Sequence, residues 1–273
     1  MTLLGGPSTG SAQAGVDVVS IAAGHDALVA ALAGCDGIVN LAGEPILGAR
    51  WTAKRRAALR RSRVDLTEQI VAAIETAAPK PRVLVSASAV GFYGDRGEEL
   101  LTESSAPGGG FLSRLCQDWE RAALAASTSG VRVVVVRTGV VLAKHGGALA
   151  QMALPFKLGA GGPIGFGRQF FPWIHLDDIV SLLVAAMEHD RYRGPVNGVA
   201  PEIVRNRDFA RALGAAMHRP AILPTPPLAL RLVFGEAAGV LFASQRVEPQ
   251  AAKRAGFTWK FPALDAALIS CLE

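Results

Sequence analysis

Short apolar runs rich in β-branched residues alternate along this chain with longer stretches whose apolar positions recur every three or four residues. That alternation predicts a parallel α/β sheet. The strongest run, 131–136 (VRVVVV), suits a strand buried on both faces. Further strands are expected over 16–21, 37–41, 82–86 and 196–199. Helices are expected over 25–33, 52–77, 111–126, 179–187 and 207–216. Leu59, Leu66, Ile70, Val71 and Ile74 share one face of the 52–77 helix, and Leu112, Leu115, Trp119 and Ala123 one face of the 111–126 helix. Asp177 or Asp178 is the expected cap of the helix near 179, and Asn206 that of the next. Residues 1–15 read as a flexible arm, 16–219 as the main domain, and 220–273 as a small C-terminal domain of two or three helices entered through a proline-rich link.

Open parallel sheets bind ligands at the carboxyl ends of their strands. Those ends carry Asn40, Leu41, Ala42 and Gly43, then Ser86 and Ser88, then Arg137, Thr138 and Gly139. The serines either meet a substrate oxygen or cap turns. A glycine-rich segment, 159–167, lets backbone approach a ligand closely. The early glycines, GGPSTG at 5–10, are a decoy as a phosphate-binding turn. Too few residues surround them for the strand and helix such a turn must join.

Composition narrows the partners. Half of the 273 residues are hydrophobic and 19% are charged, enough for a sizeable core. The formal net charge is +5. Lys54, Arg55, Arg56, Arg60 and Arg61 form a basic cluster that reads as a solvated helix face or as a site for a phosphorylated cofactor. No nucleic-acid partner is expected, because no aromatic residues interleave those charges and no nucleic-acid motif occurs. No apolar run of ~18 residues is present, so no membrane partner is expected either. Cys35, Cys116 and Cys271 are odd in number and far apart, which argues against disulfides and zinc and fits a reducing cytoplasm. No metal site is expected.

Several motifs together, NLAGEPI (40–46), SRV (62–64), VSASAVGFYGD (85–95), VVRTGVVL (135–142), LPFKLGAGGPIGFGRQFFPWIHLDDI (154–179) and GPVNGVAP (194–201), resemble the atypical extended short-chain dehydrogenase/reductases. More narrowly they resemble the NAD(P)-dependent subfamily called epimerase family proteins, also labelled cell division inhibitor-like. The resemblance runs from residue 16 almost to the end. It implies a Rossmann-like doubly wound parallel sheet binding NADP(H), with an unknown small substrate. It also implies a homodimer through the 52–77 and 111–126 helices. Leu41 and Ala42 would pass the adenosine side of the cofactor, and Arg63 would reach a phosphate or ribose. Gly139, Val140 and Val141 would lie beside the nicotinamide. Ser88 would polarise the substrate. Tyr93, the only nearby phenol, either substitutes for the missing catalytic tyrosine or is a packed aromatic. His175 and Asp177 match a family corner read as structural.

Two departures stand out. The family's opening βαβ unit with its glycine motif is missing, so the expectation is either a misplaced or truncated start, or a direct pairing of the 16–21 and 37–41 strands. The YxxxK acid–base pair is also absent, with Leu112 and Cys116 at its positions. The function expected is therefore an NADP(H)-binding oxidoreductase or epimerase-like protein. The alternatives are a non-enzymatic cofactor-binding regulator or scaffold, of the kind the cell-division label implies, and an inactive truncated product.

Overall fold

The computed structural model describes residues 2–5, 17–144 and 146–273. In chain order the elements begin with β1 (Thr2–Gly5), β2 (Asp17–Ser20), α1 (His25–Leu32) and β3 (Gly37–Asn40). A continuous helical stretch follows: α2 (Ala53–Arg60), a π-helical turn (Arg61–Asp65) and α3 (Leu66–Thr76). Next come β4 (Val83–Ala89), β5 (Leu100–Leu101), α4 (Gly110–Leu124), β6 (Arg132–Thr138), β7 (Val140–Leu142) and α5 (Gly147–Lys157). The remainder is β8 (Trp173–His175), α6 (Leu176–Glu188), β9 (Gly194–Gly198), α7 (Asn206–Ala216), α8 (Pro227–Phe234), α9 (Gly239–Phe242), β10 (Arg246–Val247), α10 (Gln250–Arg254) and α11 (Leu264–Leu272).

The central sheet is parallel, in the order β3-β4-β6-β9. Its side chains alternate between two helical layers, as the pleat requires. Ile38, Leu84, Val133 and Val135 face α1, α3 and α4. Val83, Val85, Val134 and Val136 face α6, where they meet Ile179, Leu182 and Ala186. Burial on both faces explains the unbroken apolar runs in β4 and β6. Arg132 interrupts the second run without breaking it. Its guanidinium donates to the carbonyls of Ala186, Met187 and Tyr192 and so closes the exposed end of α6.

Five expectations need correction. Residues 2–5, placed in a flexible arm, form β1, which runs parallel to β2 from Thr2↔Asp17 to Gly5↔Ser20. The TLLG run is apolar and strand-compatible, and a strand partner outweighs the glycines that follow it. The rest of the arm and its glycine decoy lie outside the described residues. Among the described residues β2 pairs with β1 and lies in a separate sheet from β3, so the 16–21 and 37–41 strands do not pair there. His175, not an aspartate, caps α6, its Nδ1 accepting from the Asp177 N–H at 3.1 Å. Arg205 occupies the cap position of α7, while Asn206 turns its Oδ1 to the Ile164 N–H. The proline-rich link is followed by four short helices and β10.

Residues beyond the link are knitted into the sheet's carboxyl end. β10 pairs with β5 in parallel. The Asp178 carboxylate accepts the backbone N–H groups of Lys260 and Phe261 at 2.7 and 3.0 Å. Gln245 donates to the carbonyls of Val90 and Gly94.

Candidate functional site

Strand register builds the site in two rungs. Asn40 of β3 stands opposite Ser86 of β4, and Ser88 of β4 opposite Arg137 of β6, which stands opposite Asn197 of β9. All five therefore point to the α3/α4 side of the sheet, at its carboxyl end.

The second rung is a buried polar network. Arg137 and Glu120 of α4 form a two-pronged ion pair, Nε to Oε1 at 2.9 Å and Nη2 to Oε2 at 2.8 Å. Ser88 Oγ donates to Glu120 Oε1 at 2.7 Å. Arg137 Nη1 donates to the Tyr93 hydroxyl, which donates to Asn197 Oδ1 at 2.7 Å. Glu103 Oε1 accepts the N–H groups of Asn197 and Ala251, both at 3.0 Å. The Arg137 guanidinium lies 3.5 Å from the centre of the Phe92 ring. Burial opposes the Arg137 charge, but the hydrogen bonds and charge of Glu120 outweigh it and hold the guanidinium above its ordinary pKa. Burial pushes the Tyr93 phenol up.

These contacts change the parts assigned to Ser88 and Tyr93. Tyr93 has no exposed surface and Ser88 almost none. Both hydroxyls are engaged with protein partners, so neither is presented to a substrate. Arg137, grouped with the cofactor positions, is likewise buried under α4. The YxxxK positions offer nothing in their place. Leu112 packs against Gly91, and burial together with Glu120 pushes the Cys116 thiol up to about 12. A thiol that stays protonated at neutral pH is a poor general base. Sequence reading missed Glu120, Glu103 and Asn197.

The first rung opens toward solvent. Asn40 is buried, donating to Thr67 Oγ1 at 2.9 Å and accepting the Ala42 N–H at 3.2 Å. That bond turns the chain outward, leaving Leu41 60% exposed just past the strand. Ser86 is fully buried beside Asn40, 3.5 Å from its amide. The π-helical turn carries Arg63, whose Nη2 donates to the Glu44 carbonyl at 2.7 Å and Nη1 to Ser62 Oγ at 3.3 Å. π turns interrupt helices most often at functional positions. A Cβ on Gly43 would stand 2.9 Å from the Arg63 guanidinium carbon, so only glycine admits this approach. Burial lowers the Arg63 pKa. Arg55 lies near Arg63 and pairs with Glu44, while Arg56 pairs with Glu236.

Gly139, Val140 and Val141 sit at the end of β6 and the start of β7. The Gly139 N–H donates to the Gly198 carbonyl at 3.0 Å and the Val140 N–H to the Pro172 carbonyl at 2.8 Å. A Cβ on Gly139 would stand 2.8 Å from the Pro172 oxygen. Val140 and Val141 are half-buried. An exposed apolar residue, a close glycine turn, a partly free guanidinium and neighbouring arginines fit an anionic, partly aromatic ligand such as a dinucleotide. Among the described residues, no group of three or more His, Cys, Asp or Glu could hold a metal ion.

A parallel sheet with helical layers on both faces and polar rungs at its carboxyl end defines a Rossmann-like α/β protein. Residues 16–197 match the NAD dependent epimerase/dehydratase family, and residues 225–270 match a domain of unknown function, DUF1731. The chain belongs to the NAD dependent epimerase/dehydratase family. It is 44% identical over 239 residues to the mouse epimerase family protein SDR39U1, covering 86% of this chain and 81% of that protein. It is 41% identical to the chloroplastic SDR39U1 homolog of Arabidopsis thaliana, covering 88% of this chain and 69% of that one. The crystal structure of human SDR39U1 (isoform2) with NADPH superposes with a TM-score of 0.87 at 38% identity, over 96% of this chain and 88% of that one. UDP-glucuronic acid 4-epimerase from Bacillus cereus, at 16% identity and a TM-score of 0.75, shares the fold. Among the described residues, no helix is long and apolar enough to cross a membrane.

Proposed function

We propose that this chain binds NADP(H) across the carboxyl ends of β3, β4 and β6 and acts as an epimerase-like oxidoreductase on a small substrate. The carrying observation is the first rung: Asn40 turns the chain so that Leu41 faces outward while Ala42 packs against the core, beside an arginine brought against Gly43 by a π-helical turn. The NADPH in the human relative's crystal structure supports the same reading. Arg63 and its basic neighbours hold phosphate, and the 139–141 backbone borders the nicotinamide end. Bound there, the cofactor supplies or accepts hydride. The Arg137–Glu120 network acts beneath it, fixing the floor of the substrate space, and Ser88 and Tyr93 serve as positioning residues within that floor. The 159–173 segment borders the substrate from above.

The burial of every hydroxyl in the second rung favours a second reading, in which the chain binds cofactor as a regulator or scaffold and transfers nothing. Calorimetric titration with NADPH, followed by cofactor oxidation across a panel of carbonyl compounds, separates the two. Micromolar binding with turnover supports the first reading, binding without turnover the second, and no binding rejects both. Arg63→Ala is expected to weaken NADPH binding about tenfold, the loss of one charge-assisted phosphate contact. A homodimer would use the shallow groove between α3 and α4, where Val71 and Ala122 lie among Glu68, Glu75, Arg60 and Arg121. Light scattering tests it through a doubled mass that Ala122→Arg halves.

A further inference from the structure

Two segments of this chain carry no acidic residue: 143–176 and 209–235. They run side by side. The Leu223 N–H donates to the Gly161 carbonyl at 3.1 Å, the Thr225 N–H to the Pro163 carbonyl at 2.8 Å, and the Gly165 N–H to the Thr225 carbonyl at 3.0 Å. α5 leads into the first strip and α8 leads out of the second. Leu158, Phe166, Ile222, Leu228, Leu232 and Val233 are exposed on these elements, Phe166 by 86% and Leu158 and Ile222 by 75%. α8 contributes no residue to the core. Its far end is nevertheless fixed, because Arg50 donates to the Leu232 and Val233 carbonyls and Arg56 pairs with Glu236. The apolar side chains are thus presented outward by a tethered helix and a hydrogen-bonded strip.

The charges on the same strips have one sign. Lys157, Arg168, Arg219 and Arg231 are all exposed. Among the described residues none of the four forms an ion pair. A second copy of this chain, apposed face to face, would set these cations against each other. A small anion would satisfy the cations and leave six large apolar groups in water, an arrangement monomeric surfaces avoid. A surface that offers anionic groups above hydrocarbon satisfies both sets at once.

We propose that this face docks on an anionic bilayer surface. Phe166 and the outward leucines of α8 enter at headgroup depth, and the long basic side chains extend to the lipid phosphates. The association is peripheral and leaves the sheet outside the bilayer. Phe166 and Arg168 belong to the 159–173 segment placed beside the substrate, so it is the outward side of that segment that docks, and docking requires no turnover of the cofactor.

The test is flotation of the full chain with phosphatidylcholine vesicles, alone or with about 30% phosphatidylglycerol, at about 0.1 M and about 0.5 M salt. Recovery with the anionic vesicles is expected to exceed that with neutral ones by about tenfold, and to fall at the higher salt. Phe166→Asp with Leu228→Asp is expected to abolish flotation while cooperative unfolding persists, since both side chains are exposed. Lys157→Glu with Arg231→Glu should do the same. Failure of the wild-type chain to float overturns the proposal, as does full flotation of both double variants. Displacement by saturating NADPH would assign the cations to the cofactor. Self-association lost in Phe166→Asp/Leu228→Asp would make a second copy the occupant. Either result overturns docking on lipid, and direct NADPH titration reports separately on the proposed function.

Discussion

Arg137 ends an apolar strand, and its charge has to be answered inside the protein. Glu120 answers it, so Glu120→Gln is expected to destabilise the fold by about 3–5 kcal/mol by leaving a buried charge poorly paired. Urea unfolding would read the loss. Replacing both residues, Glu120→Leu with Arg137→Met, should recover most of it, because apolar pairs of similar volume replace buried ion pairs at little net cost. Tyr93→Phe should cost about 1–2 kcal/mol through the bonds to Asn197 and Arg137, and leave NADPH affinity unchanged. His175 adds a pH dependence. Burial lowers its pKa, despite Asp177 and Asp178 nearby, so the unfolded chain takes up the proton first. Its contribution to stability is complete above the unfolded value of about 6.5 and declines as pH falls toward the folded value. Protonated Nδ1 would also lose the cap bond to Asp177. His175→Asn should flatten the fall in melting temperature below about pH 6.5. At this scale Arg137 was visible in sequence as a charge at the end of a buried run. Glu120 left a weaker signal, a carboxylate one turn from Cys116 and next to Trp119 on the apolar side of its helix. Glu103 left none, because its partners Asn197 and Ala251 lie 94 and 148 residues away.

The helical stretch from Ala53 to Thr76 was legible as one element; Thr52 caps it, accepting the Arg55 N–H. The π turn within it was not, because apolar spacing resumes on either side and conceals one extra residue per turn. Deleting Arg61 should restore regular α geometry and rotate Arg63 away from Gly43. The expected result is unchanged helicity by circular dichroism with NADPH binding weakened about tenfold or more. The caps of α6 and α7 show a different limit. Local rules favour Asp and Asn at those positions, but Asp178 and Asn206 serve distant backbone, at Lys260 and Phe261 and at Ile164. Asp178→Ala is therefore expected to loosen the chain after Lys260 more than α6 itself, read as faster proteolysis near Lys260. Strand β1 was hidden because a four-residue run followed by glycines carries no periodicity.

Across the molecule, the parallel sheet and its two helical layers followed from the alternation of buried runs and amphipathic stretches. The attachment of residues beyond 220 did not, since it rests on isolated contacts: β10 on β5, Gln245 on the turn after β4, and Glu103 on the start of α10. A chain stopped after residue 243 should melt at least about 10 °C lower and lose a single sharp transition, read by calorimetry. The Glu103 carboxylate gathers strand β9 and helix α10 onto a loop made long before either. On the ribosome, that carboxylate emerges while both of its backbone donors are still unsynthesised. The polar floor under β6 therefore cannot close until residue 251 has cleared the exit tunnel. For that interval the Arg137–Glu120 pair lacks its cover, and groups that the finished protein buries stay open to water.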